Sequence, residues 1–524
     1  MGVYDLIHKS WKTLRTAINA LLHLNRTFEA LVARINHGPP LPNRNPIKSY
    51  WLENPPFQGL VDAQSNELPT ETDVIIIGSG ITGAAVARSL LQESKRKGRD
   101  INITVLEARD ICSGATGRNG GHIKVSPHES FEAFEKKFGT ERAVSLTKFQ
   151  LRHLECLTEL CRSENFVEAE CRVVETVDLF VDQKAFDKAC HTLGRMKTLL
   201  PEFAMHSYQQ KDAREKFAVS GHVVGALSYR AGAIWPYRFV TAVWNKLLQE
   251  YAGQITIETN TPVLSVQRGQ SSGRSYKVYT DRGVIVCTHV VHATNAWMGH
   301  LLPSLKSKST GTRAHMSAQN PGYHGYQGFH GDRSWSIVYG DNDYDYMTQR
   351  PSPDGMGDIM LGGGTFRSKD NGLDQIGVWD DSQIDAFTSA HLAGILPIIF
   401  SSKTQQPNTQ KSARSLQQHW SGIIALTADS LPFVGELDAG LSGRGSVTED
   451  ASEWISAGYN GQGMVYAWLC GTALGIIITG SEHEDIPASP GFPGGVLSEW
   501  FPKEMLLDRK RYDKIDILDL ADEL

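Results

Sequence analysis

The chain has 524 residues, of which 40% are hydrophobic and 21% charged, and its formal net charge at pH 7 is −6. This composition is typical of a soluble globular protein with about three domain-sized units, and the slight negative charge gives no general attraction to nucleic acid or to anionic lipid. The seven cysteines include no CxxC pair. We therefore expect reduced thiols, no disulfide framework, no metal site and an intracellular protein.

Residues 1–37 form the first predicted element. Apolar side chains recur there at alternating spacings of four and three, with one polar position at Asn25; they are Ile7, Trp11, Leu14, Ile18, Leu21, Phe28, Val32 and Ile35. This spacing predicts an amphipathic helical extension with one apolar stripe and mainly basic other faces. The helix either packs on the body or on a second copy, or it is a membrane-surface or mitochondrial targeting helix. We expect a cytoplasmic protein, with the mitochondrion as the alternative.

Three other segments are assigned from composition. Residues 38–72 are rich in Pro and Asn and predict an extended linker that wraps the surface. Residues 455–481 carry no charge and are long enough to span a bilayer, but they are rich in glycine and lack flanking basic residues, so we expect a buried helix. Residues 483–524 form a C-terminal tail, whose last four residues, Ala-Asp-Glu-Leu, loosely resemble an endoplasmic-reticulum retention signal. We assign that tail no role, because no signal for entry into the lumen is visible.

The strongest local pattern is a strand, a glycine turn and a helix at residues 72–91. Residues 74–77 form the apolar run expected of a parallel strand buried on both faces. Gly78, Gly80 and Gly83 follow at the spacing that permits a tight turn, close approach to a pyrophosphate and close helix packing. Glu107 ends the next predicted strand, 24 positions after Gly83, near the usual spacing of an acid that bonds a ribose hydroxyl. The unit predicts a dinucleotide cofactor without separating FAD from NAD.

Five small residues, 113–117, predict a loop whose backbone can lie against a flat ring. With their neighbours they read ARDICSGATGRNGGH. This segment resembles the D-amino-acid-oxidase (DAO) superfamily of FAD-dependent oxidoreductases, which includes glycine oxidase, sarcosine oxidase and γ-glutamylputrescine oxidase. The GRNGG form is nearest to the last group and its fungal relatives.

Four later segments extend the resemblance over roughly residues 70–480. TPVLSVQ at 261–267 resembles the family's adenine-binding strand, and VVHATNAW at 290–297 resembles the strand and turn that return to the FAD domain. WSGIIALTADSLPFVG at 420–435 matches the family's W-x-G…T-x-D…P-x-x-G segment, and GYNGQGM at 458–464 follows it. The resemblance implies that this last turn starts a helix whose N-terminal dipole faces the flavin.

The resemblance implies an α/β fold with FAD as cofactor. A Rossmann-type FAD-binding domain would be assembled from residues 73–150, 225–300 and 415–482, and an α+β substrate domain with a mixed or antiparallel sheet from residues 151–224 and 301–414. The residues that match the family's FAD-binding motifs are Gly78, Ser79, Gly80, Ile81, Thr82, Gly83, Glu107, Ala108, Arg109, Ser113, Thr116, Gly117, Asn119, Gly120, Val263, Ala293, Thr294, Trp297, Asp429, Gly458, Gly461, Gly463 and Met464.

The FAD is expected to be non-covalent. Some relatives attach it through a cysteine five positions before the threonine of the T-x-D motif, where this chain has Gly422. Others attach it through a histidine in the loop after the ribose acid, where this chain has Arg118.

The candidate residues for catalysis and substrate binding are Arg118, Tyr346 and Arg350. Arg118 would lie beside the ring, where it can stabilise reduced flavin or bind an acidic group. Tyr346 and Arg350 share one parity on a predicted strand, so Arg350 can clamp a substrate carboxylate; a surface arginine at a strand end is the alternative. Met360 aligns with the lysine that sarcosine oxidases use to activate oxygen.

The resemblance implies an FAD-dependent oxidoreductase that oxidises a C–N bond of an amine or amino-acid-like substrate by hydride transfer to flavin N5, with oxygen as the acceptor. Such a transfer needs positioning and a dry pocket rather than a catalytic triad. Two alternatives stay open. One is a flavin dehydrogenase or tailoring enzyme for a larger alkaloid- or peptide-like metabolite, and the other is a non-enzymatic FAD-bound trafficking or assembly protein.

Overall fold

The computed structural model describes residues 3–269, 276–321, 330–352, 357–400, 416–444 and 451–522. The helices of these ranges are α1 (Val3–His37), α2 (Gln58–Val61), α3 (Ile81–Arg96), α4 (Pro127–Phe138), α5 (Thr140–Ser163), α6 (Gln183–Leu199), α7 (Gln210–Phe217), α8 (Pro236–Glu250), α9 (Met298–Leu301), α10 (Ala386–Gly394), α11 (Leu396–Ile399), α12 (Ala439–Ser442), α13 (Ala467–Ile478), α14 (Leu497–Trp500) and α15 (Arg509–Tyr512). The strands are β1 (Glu71–Ile77), β2 (Ile103–Leu106), β3 (His122–Ile123), β4 (Arg172–Phe180), β5 (Met205–Gln209), β6 (Gly225–Ala233), β7 (Ile255–Glu258), β8 (Val263–Arg268), β9 (Tyr276–Thr280), β10 (Val284–His292), β11 (Ser309–Gln319), β12 (Arg333–Gly340), β13 (Asp343–Gln349), β14 (Ile359–Gly362), β15 (Leu416–Thr427), β16 (Phe433–Leu437) and β17 (Glu453–Ala457).

The first sheet is mainly parallel and is built around β1. Its order is β16-β17-β10-β1-β2-β7, and β9 joins it through β10 and carries β8. Both neighbours of β1, the strands β10 and β2, run parallel to it. Val74, Ile75 and Ile76 are completely buried, as the apolar run predicts for a strand covered on both faces.

Small residues let α3 and α13 pack closely beside this sheet. A side chain at Gly471 would lie 2.8 Å from the Cβ of Ala85, and one at Gly475 would lie 2.5 Å from the Cβ of Ser89. Residues 467–476 of α13 are all buried, so the prediction of a buried helix within residues 455–481 is confirmed. In the described ranges, no helix has both the length and the apolar character needed to cross a membrane.

The second sheet is mixed. Its order is β15-β11-β14-β13-β12-β4-β6-β3, with β5 attached to β6. The pair of β4 and β12 is parallel, whereas β15, β11, β14, β13 and β12 pair antiparallel in turn. A parallel sheet joined to a mixed sheet confirms the predicted α/β fold with an α+β second domain.

The sheets divide the chain at different positions from those predicted. β6 and β15 pair within the second sheet, although the predicted boundaries at 225 and 415 assigned both to the FAD-binding domain. The predicted boundary at residue 150 falls inside α5. Strand partners distant in sequence decide which sheet a segment joins, and a local apolar pattern does not contain that information.

The linker of residues 38–72 is anchored more firmly than an extended surface segment. Trp51 is 2% exposed, and its indole N–H donates to the carbonyl oxygen of Asn119. The hydroxyl of Tyr50 donates to the Asp358 carboxylate at 2.6 Å. Trp51 fastens the linker against the loop that follows β2, and Tyr50 fastens it against the residue that precedes β14.

Candidate active site

A cavity opens between the two sheets, at the carboxyl ends of β1 and β2. Its empty volume is 1540 Å³, including the part open to solvent. Open α/β sheets bind their ligands at this edge. The cavity therefore has the position expected of a dinucleotide site.

The glycine turn after β1 brings the N-terminus of α3 to the cavity wall. Gly78 has a φ of +111°, and a side chain there would lie 2.6 Å from the carbonyl oxygen of Ala293. A side chain at Gly83 would lie 2.1 Å from the carbonyl oxygen of Gly78, so only glycine permits this packing of α3. The N-cap residue, Gly80, supplies no side-chain cap. The Ile81 N–H donates to the Thr116 hydroxyl at 3.1 Å, and the other first-turn N–H groups are available to an anion such as a phosphate.

Glu107 follows β2 and lies on the cavity wall, held by the glycine turn. Its Oε2 accepts hydrogen bonds from the Ser79 backbone N–H at 3.0 Å and the Ser79 hydroxyl at 2.7 Å. Its Oε1 accepts from the backbone N–H of Arg109 at 3.1 Å. An ionised carboxylate has about four acceptor positions, so Glu107 retains capacity for a ribose hydroxyl.

Arg118 is buried behind the small-residue loop and keeps one donor group for the cavity. Its Nε donates to the carbonyl of Ser113, and its NH1 donates to the carbonyls of Ile47 and Ser421, each at 2.8 Å. Asp381 lies 3.6 Å from Nε. Burial lowers the pKa of Arg118 to about 10, which leaves the guanidinium charged at neutral pH.

The turn between β17 and α13 meets the glycine turn after β1. The hydroxyl of Tyr459 lies 2.9 Å from the Thr82 hydroxyl and 2.9 Å from the Ser456 hydroxyl. Burial is the main cause that raises the pKa of Tyr459 above its usual range. Gly461 and Gly463 line the same cavity as Thr82. Two segments that are 377 positions apart in the chain therefore enclose one cavity.

The second sheet closes the cavity with Met316 of β11 and Tyr346 of β13. The Tyr346 ring occupies the space beside Gly120, where an added side chain would lie 2.5 Å from it. Burial raises the pKa of Tyr346 to about 12, so its hydroxyl stays protonated at physiological pH. Because that hydroxyl bonds no other described residue, it is available to a ligand.

Most of the predicted cofactor-binding residues lie on the cavity wall. The lining residues among them are Gly78, Gly80, Ile81, Thr82, Glu107, Ala108, Arg109, Thr116, Asn119, Val263, Ala293, Thr294, Trp297, Gly461, Gly463 and Met464. Six others do not line the cavity and instead shape its turns; they are Ser79, Gly83, Ser113, Gly117, Gly120 and Gly458. For these six the structure shows a supporting role in the turns, and contact with the cofactor stays a prediction.

Ion pairs hold two predicted site residues away from the cavity. Asp429 accepts hydrogen bonds from Nε and NH2 of Arg511 at 2.8 and 2.9 Å. Arg350 donates to Glu170 at 2.7 and 3.2 Å and to the Tyr50 hydroxyl at 2.8 Å. The predictions that Asp429 contacts FAD and that Arg350 clamps a substrate carboxylate are therefore corrected. Each side chain is committed to a partner from another part of the chain, which no local motif reveals.

Part of the lining was missed from the sequence. Those residues are Leu41, Pro42, Ile77, Leu106, Gly114, Ala115, Asn295, His300, Leu301, Ala314, Met316, Gly422, Ile423, Ile424, Ala425, Tyr459 and Ala467. Alternation along the matched 420–435 segment would have indicated that Gly422 and Ile424 share a face. Leu41 and Pro42 belong to the linker, and nothing in their composition indicates a site.

Three buried polar atoms of lining residues have no hydrogen-bond partner among the described residues: NH2 of Arg118, Oγ1 of Thr294 and Nε1 of Trp297. Buried donors without partners are rare and costly. Phosphate, ribityl and flavin oxygens can accept hydrogen bonds from donors of this kind. Together with the free N-terminus of α3 and the carboxylate of Glu107, these atoms fit FAD.

The cavity combines a Rossmann-type sheet, an anion-binding helix N-terminus and a second sheet that closes it. These features define a two-domain flavin-dependent oxidoreductase. The model of the family described as FAD dependent oxidoreductase (DAO) matches residues 73–475, and the chain belongs to this family. The resemblance inferred from the sequence and FAD as the cofactor are thereby confirmed.

Individual relatives are distant. The chain is 22% identical over 443 residues to the gamma-glutamylputrescine oxidoreductase of Escherichia coli (strain K12), covering 81% of this chain and 88% of the relative. It is 23% identical over 438 residues to the probable oxidoreductase OrdL of Rhizobium meliloti (strain 1021), with the same coverage of 81% and 88%. Glycine oxidase from Geobacillus kaustophilus superposes with a TM-score of 0.58 at 16% identity, over 84% of this chain and 99% of that structure. L-proline dehydrogenase from P. horikoshii superposes with a TM-score of 0.55 at 18% identity, over 83% and 98%.

Proposed function

We propose that this protein is an FAD-dependent amine oxidase that takes a hydride from a carbon bonded to nitrogen and passes the electrons to molecular oxygen. The observation that carries the proposal is the single cavity enclosed by the FAD-fitting turns and by Met316 and Tyr346 of the second sheet. Bound FAD would supply the hydride acceptor, N5 of the flavin. Nitrogen-containing substrates are named for several relatives, among them gamma-glutamylputrescine oxidoreductase and iminodiacetate oxidase.

The chain's own contribution is to hold the amine in its neutral form. An amine gives up a hydride from its neighbouring carbon only when its nitrogen carries a lone pair, and desolvation disfavours the charged ammonium. The Tyr346 hydroxyl can donate to that nitrogen and orient it.

Oxygen as the acceptor requires positive charge near the site of its reduction. Met360, at the position of the oxygen-activating lysine of some relatives, is completely buried and absent from the cavity lining. Arg118 remains charged and lines the cavity, and we assign the stabilisation of reduced oxygen to it.

The test is anaerobic mixing of the holoenzyme with a panel of primary, secondary and N-methyl amines and amino acids, followed by admission of oxygen. We expect bleaching of the flavin absorbance by an amine and release of hydrogen peroxide on reoxidation. If the flavin bleaches but no peroxide forms on reoxidation, and an artificial electron acceptor restores turnover, the enzyme is a dehydrogenase and not an oxidase. No bleaching by any small amine would leave the larger-metabolite enzyme or the non-enzymatic flavoprotein.

We propose an intracellular location, in the cytoplasm. The seven cysteines are all free thiols, and Cys112, Cys156, Cys161, Cys287 and Cys470 are buried. Free thiols persist in a reducing compartment. Fractionation that found the protein in an oxidising compartment would contradict this.

A further inference from the structure

A polar cluster lies on the cavity-facing side of the second sheet. Tyr346 pairs with Ser336 across β13 and β12, and Ser336 pairs with Asp178 across β12 and β4. Paired residues of neighbouring strands point to the same face, so Asp178 shares the face on which Tyr346 reaches the cavity. The ring centroids of Tyr344 and Tyr346 are 6.2 Å apart. Both rings lie on this face, which extends away from the flavin side.

The centre of the cluster is neutralised. Lys124 donates to the Asp178 carboxylate and, at 2.5 Å, to the Ser336 hydroxyl. The Tyr229 hydroxyl donates to the other oxygen of Asp178 at 2.7 Å. Lys124 and Asp178 are 6% and 1% exposed, and together they carry no net charge.

The side chains of His128 and Glu129, at the start of α4, make no hydrogen bonds with the described part of the chain. The His128 side chain is 3% exposed, yet neither ring nitrogen has a partner there. Nδ1 lies 3.9 Å from Asp178 and Nε2 lies 3.9 Å from Glu129, too far for hydrogen bonds. Burial raises the pKa of Glu129, and 38% of its side chain remains accessible to a ligand.

The arginines near the site are largely engaged. Arg118 and Arg109 both lie against Asp381, at 3.6 and 2.8 Å, and Arg350 pairs with Glu170. Of these, Arg118 keeps one unpartnered donor group, NH2, for the cavity, whereas the polar cluster offers the carboxylate of Glu129, which accepts no hydrogen bond from a described side chain.

We propose that Glu129 and His128 bind a positively charged group at the far end of the substrate, so that the preferred substrate is an amine with a second cationic nitrogen. This inference rests on the proposed function for the reacting end. An ammonium group would donate to the Glu129 carboxylate and to a ring nitrogen of His128, and both side chains would gain the partners they lack.

The test compares three amines of equal chain length: butylamine, 1,4-diaminobutane and 4-aminobutanoate, whose far ends are neutral, positive and negative. We expect kcat/KM to be highest for the diamine, about tenfold above butylamine, and lowest for 4-aminobutanoate. Glu129→Gln should reduce the ratio of diamine to butylamine to about one. The matched control is Glu132→Gln on the same helix, since Glu132 is 49% exposed and pairs with Lys188; it should keep the ratio.

Equal kcat/KM for butylamine and the diamine in the unmodified enzyme would overturn the inference and leave the proposed function standing. Calorimetric measurement of 1,4-diaminobutane binding to the holoenzyme distinguishes the opposite case, in which the cation site exists but the proposed function fails. If no amine bleaches the flavin but the diamine binds and Glu129→Gln weakens it about tenfold, the proposed function fails and the cation site stands.

An independent inference concerns α1. The helix is fastened at its last turns, where Arg34 donates to the carbonyls of Ile376 and Leu373 at 2.9 and 2.6 Å and Ile35 packs against Ile376 and Ile517. Before them, seven large apolar side chains are 46–66% exposed; they are Trp11, Leu14, Ile18, Leu21, Leu22, Leu24 and Phe28. About 26 Å of helix carries this stripe.

The apolar and basic side chains of α1 occupy separate halves of the helix. At 100° per residue the seven apolar positions span about 160° of the circumference. The remaining side carries four exposed basic residues, namely Lys9, Lys12, Arg15 and Arg26. A two-stranded coiled coil buries a narrower seam, whereas a half-apolar helix with a basic opposite face, Trp, Phe and Leu is typical of the interface of an anionic bilayer.

We infer that α1 lies on the surface of a membrane with anionic lipids. The basic face of α1 complements the negative charge of such lipids, and the cytoplasmic leaflet is anionic. The remainder of the chain lacks this complementarity, because the whole protein has a net charge of −6.

The test is flotation of the full-length holoenzyme with vesicles of phosphatidylcholine alone or with phosphatidylserine. We expect flotation with the anionic vesicles, weakened at least tenfold by high salt or by Phe28→Glu. The matched control is Phe387→Glu on the body, since Phe387 is 63% exposed and Phe28 52%; it should float like the unmodified chain. The opposite result is no flotation together with a mass in solution of two or more copies, which Phe28→Glu reduces to one. The partner of α1 would then be a second copy of the chain and not a membrane.

Discussion

Tyr459→Phe tests the contact that brings the two ends of the FAD-binding motif set together. The substitution removes the hydroxyl that bridges Thr82 and Ser456, each at 2.9 Å. Thr82 is 5% exposed and Ser456 is completely buried, so water cannot readily replace the lost partner. Each buried hydroxyl left unsatisfied costs ~1–3 kcal/mol, and we expect a loss of about 2–4 kcal/mol in all.

The loss should appear in both FAD affinity and stability. Titration of the apoprotein with FAD should show a dissociation constant raised by about tenfold or more, because Gly461 and Gly463 of the displaced turn line the cavity. Thermal unfolding of the apoprotein should shift down by about 2–4 °C.

Tyr279→Phe is the matched control, since Tyr279 is half-buried in β9 and its hydroxyl bonds no other described residue. Equal FAD affinity and equal unfolding temperature for Tyr459→Phe and Tyr279→Phe would refute the argument that the bridge holds the two turns over one ligand.

Three further predictions concern backbone packing, an ion pair and pH. Gly83→Ala should abolish FAD retention on purification, because the new Cβ would lie 2.1 Å from the carbonyl oxygen of Gly78. Arg511→Ala should lower the free energy of unfolding in urea by ~3 kcal/mol, since it leaves the 10%-exposed carboxylate of Asp429 without its partner. Burial lowers the pKa of His153 to about 4 in the folded protein, against about 6.5 unfolded. The unfolded chain binds more protons between these values, so this stability is complete above pH 6.5 and is lost as pH falls towards 4; His153→Gln should flatten that slope in acid unfolding curves.

Each of these predictions has a control in a different environment. Gly59→Ala meets no atom within 4 Å of its new Cβ and should retain FAD. Arg509→Ala breaks a pair in which Arg509 is 56% exposed, and it should cost under about 1 kcal/mol. His483 is 93% exposed, and His483→Gln should leave the acid slope unchanged. Purification of Gly59→Ala without FAD would contradict the steric argument for Gly83. Equal losses of unfolding free energy for Arg511→Ala and Arg509→Ala would contradict the ion-pair argument. Equal acid slopes for the two histidine variants would contradict the argument for His153.

Local backbone chemistry explains why much of the site could be predicted. The glycines at 78, 80 and 83 must follow a strand and start a helix for steric reasons, so their spacing alone indicates what they surround. Glu107 follows from the length of one β-α-β unit. The family resemblance extended the same reasoning to the turn at 458–464, whose Gly461 and Gly463 line the cavity.

The errors have a common physical cause. Asp429 and Arg350 were assigned from motif position and strand parity, but Arg511 and Glu170 satisfy their charges instead. Leu41 and Pro42 line the cavity although the linker composition gave no indication of a site. In each case the decisive partner lies in another segment of the chain.

The amino-acid sequence by itself determined the fold class, the FAD cradle and the amphipathic character of α1, because these depend on spacings within one or two elements. Only the tertiary structure decided that β6 and β15 join the second sheet, that Tyr459 bridges to Thr82, and that Glu129 and His128 share a face with Tyr346. Those features depend on which distant segments pair, and pairing is selected by the free energy of the whole packed chain rather than by any local pattern.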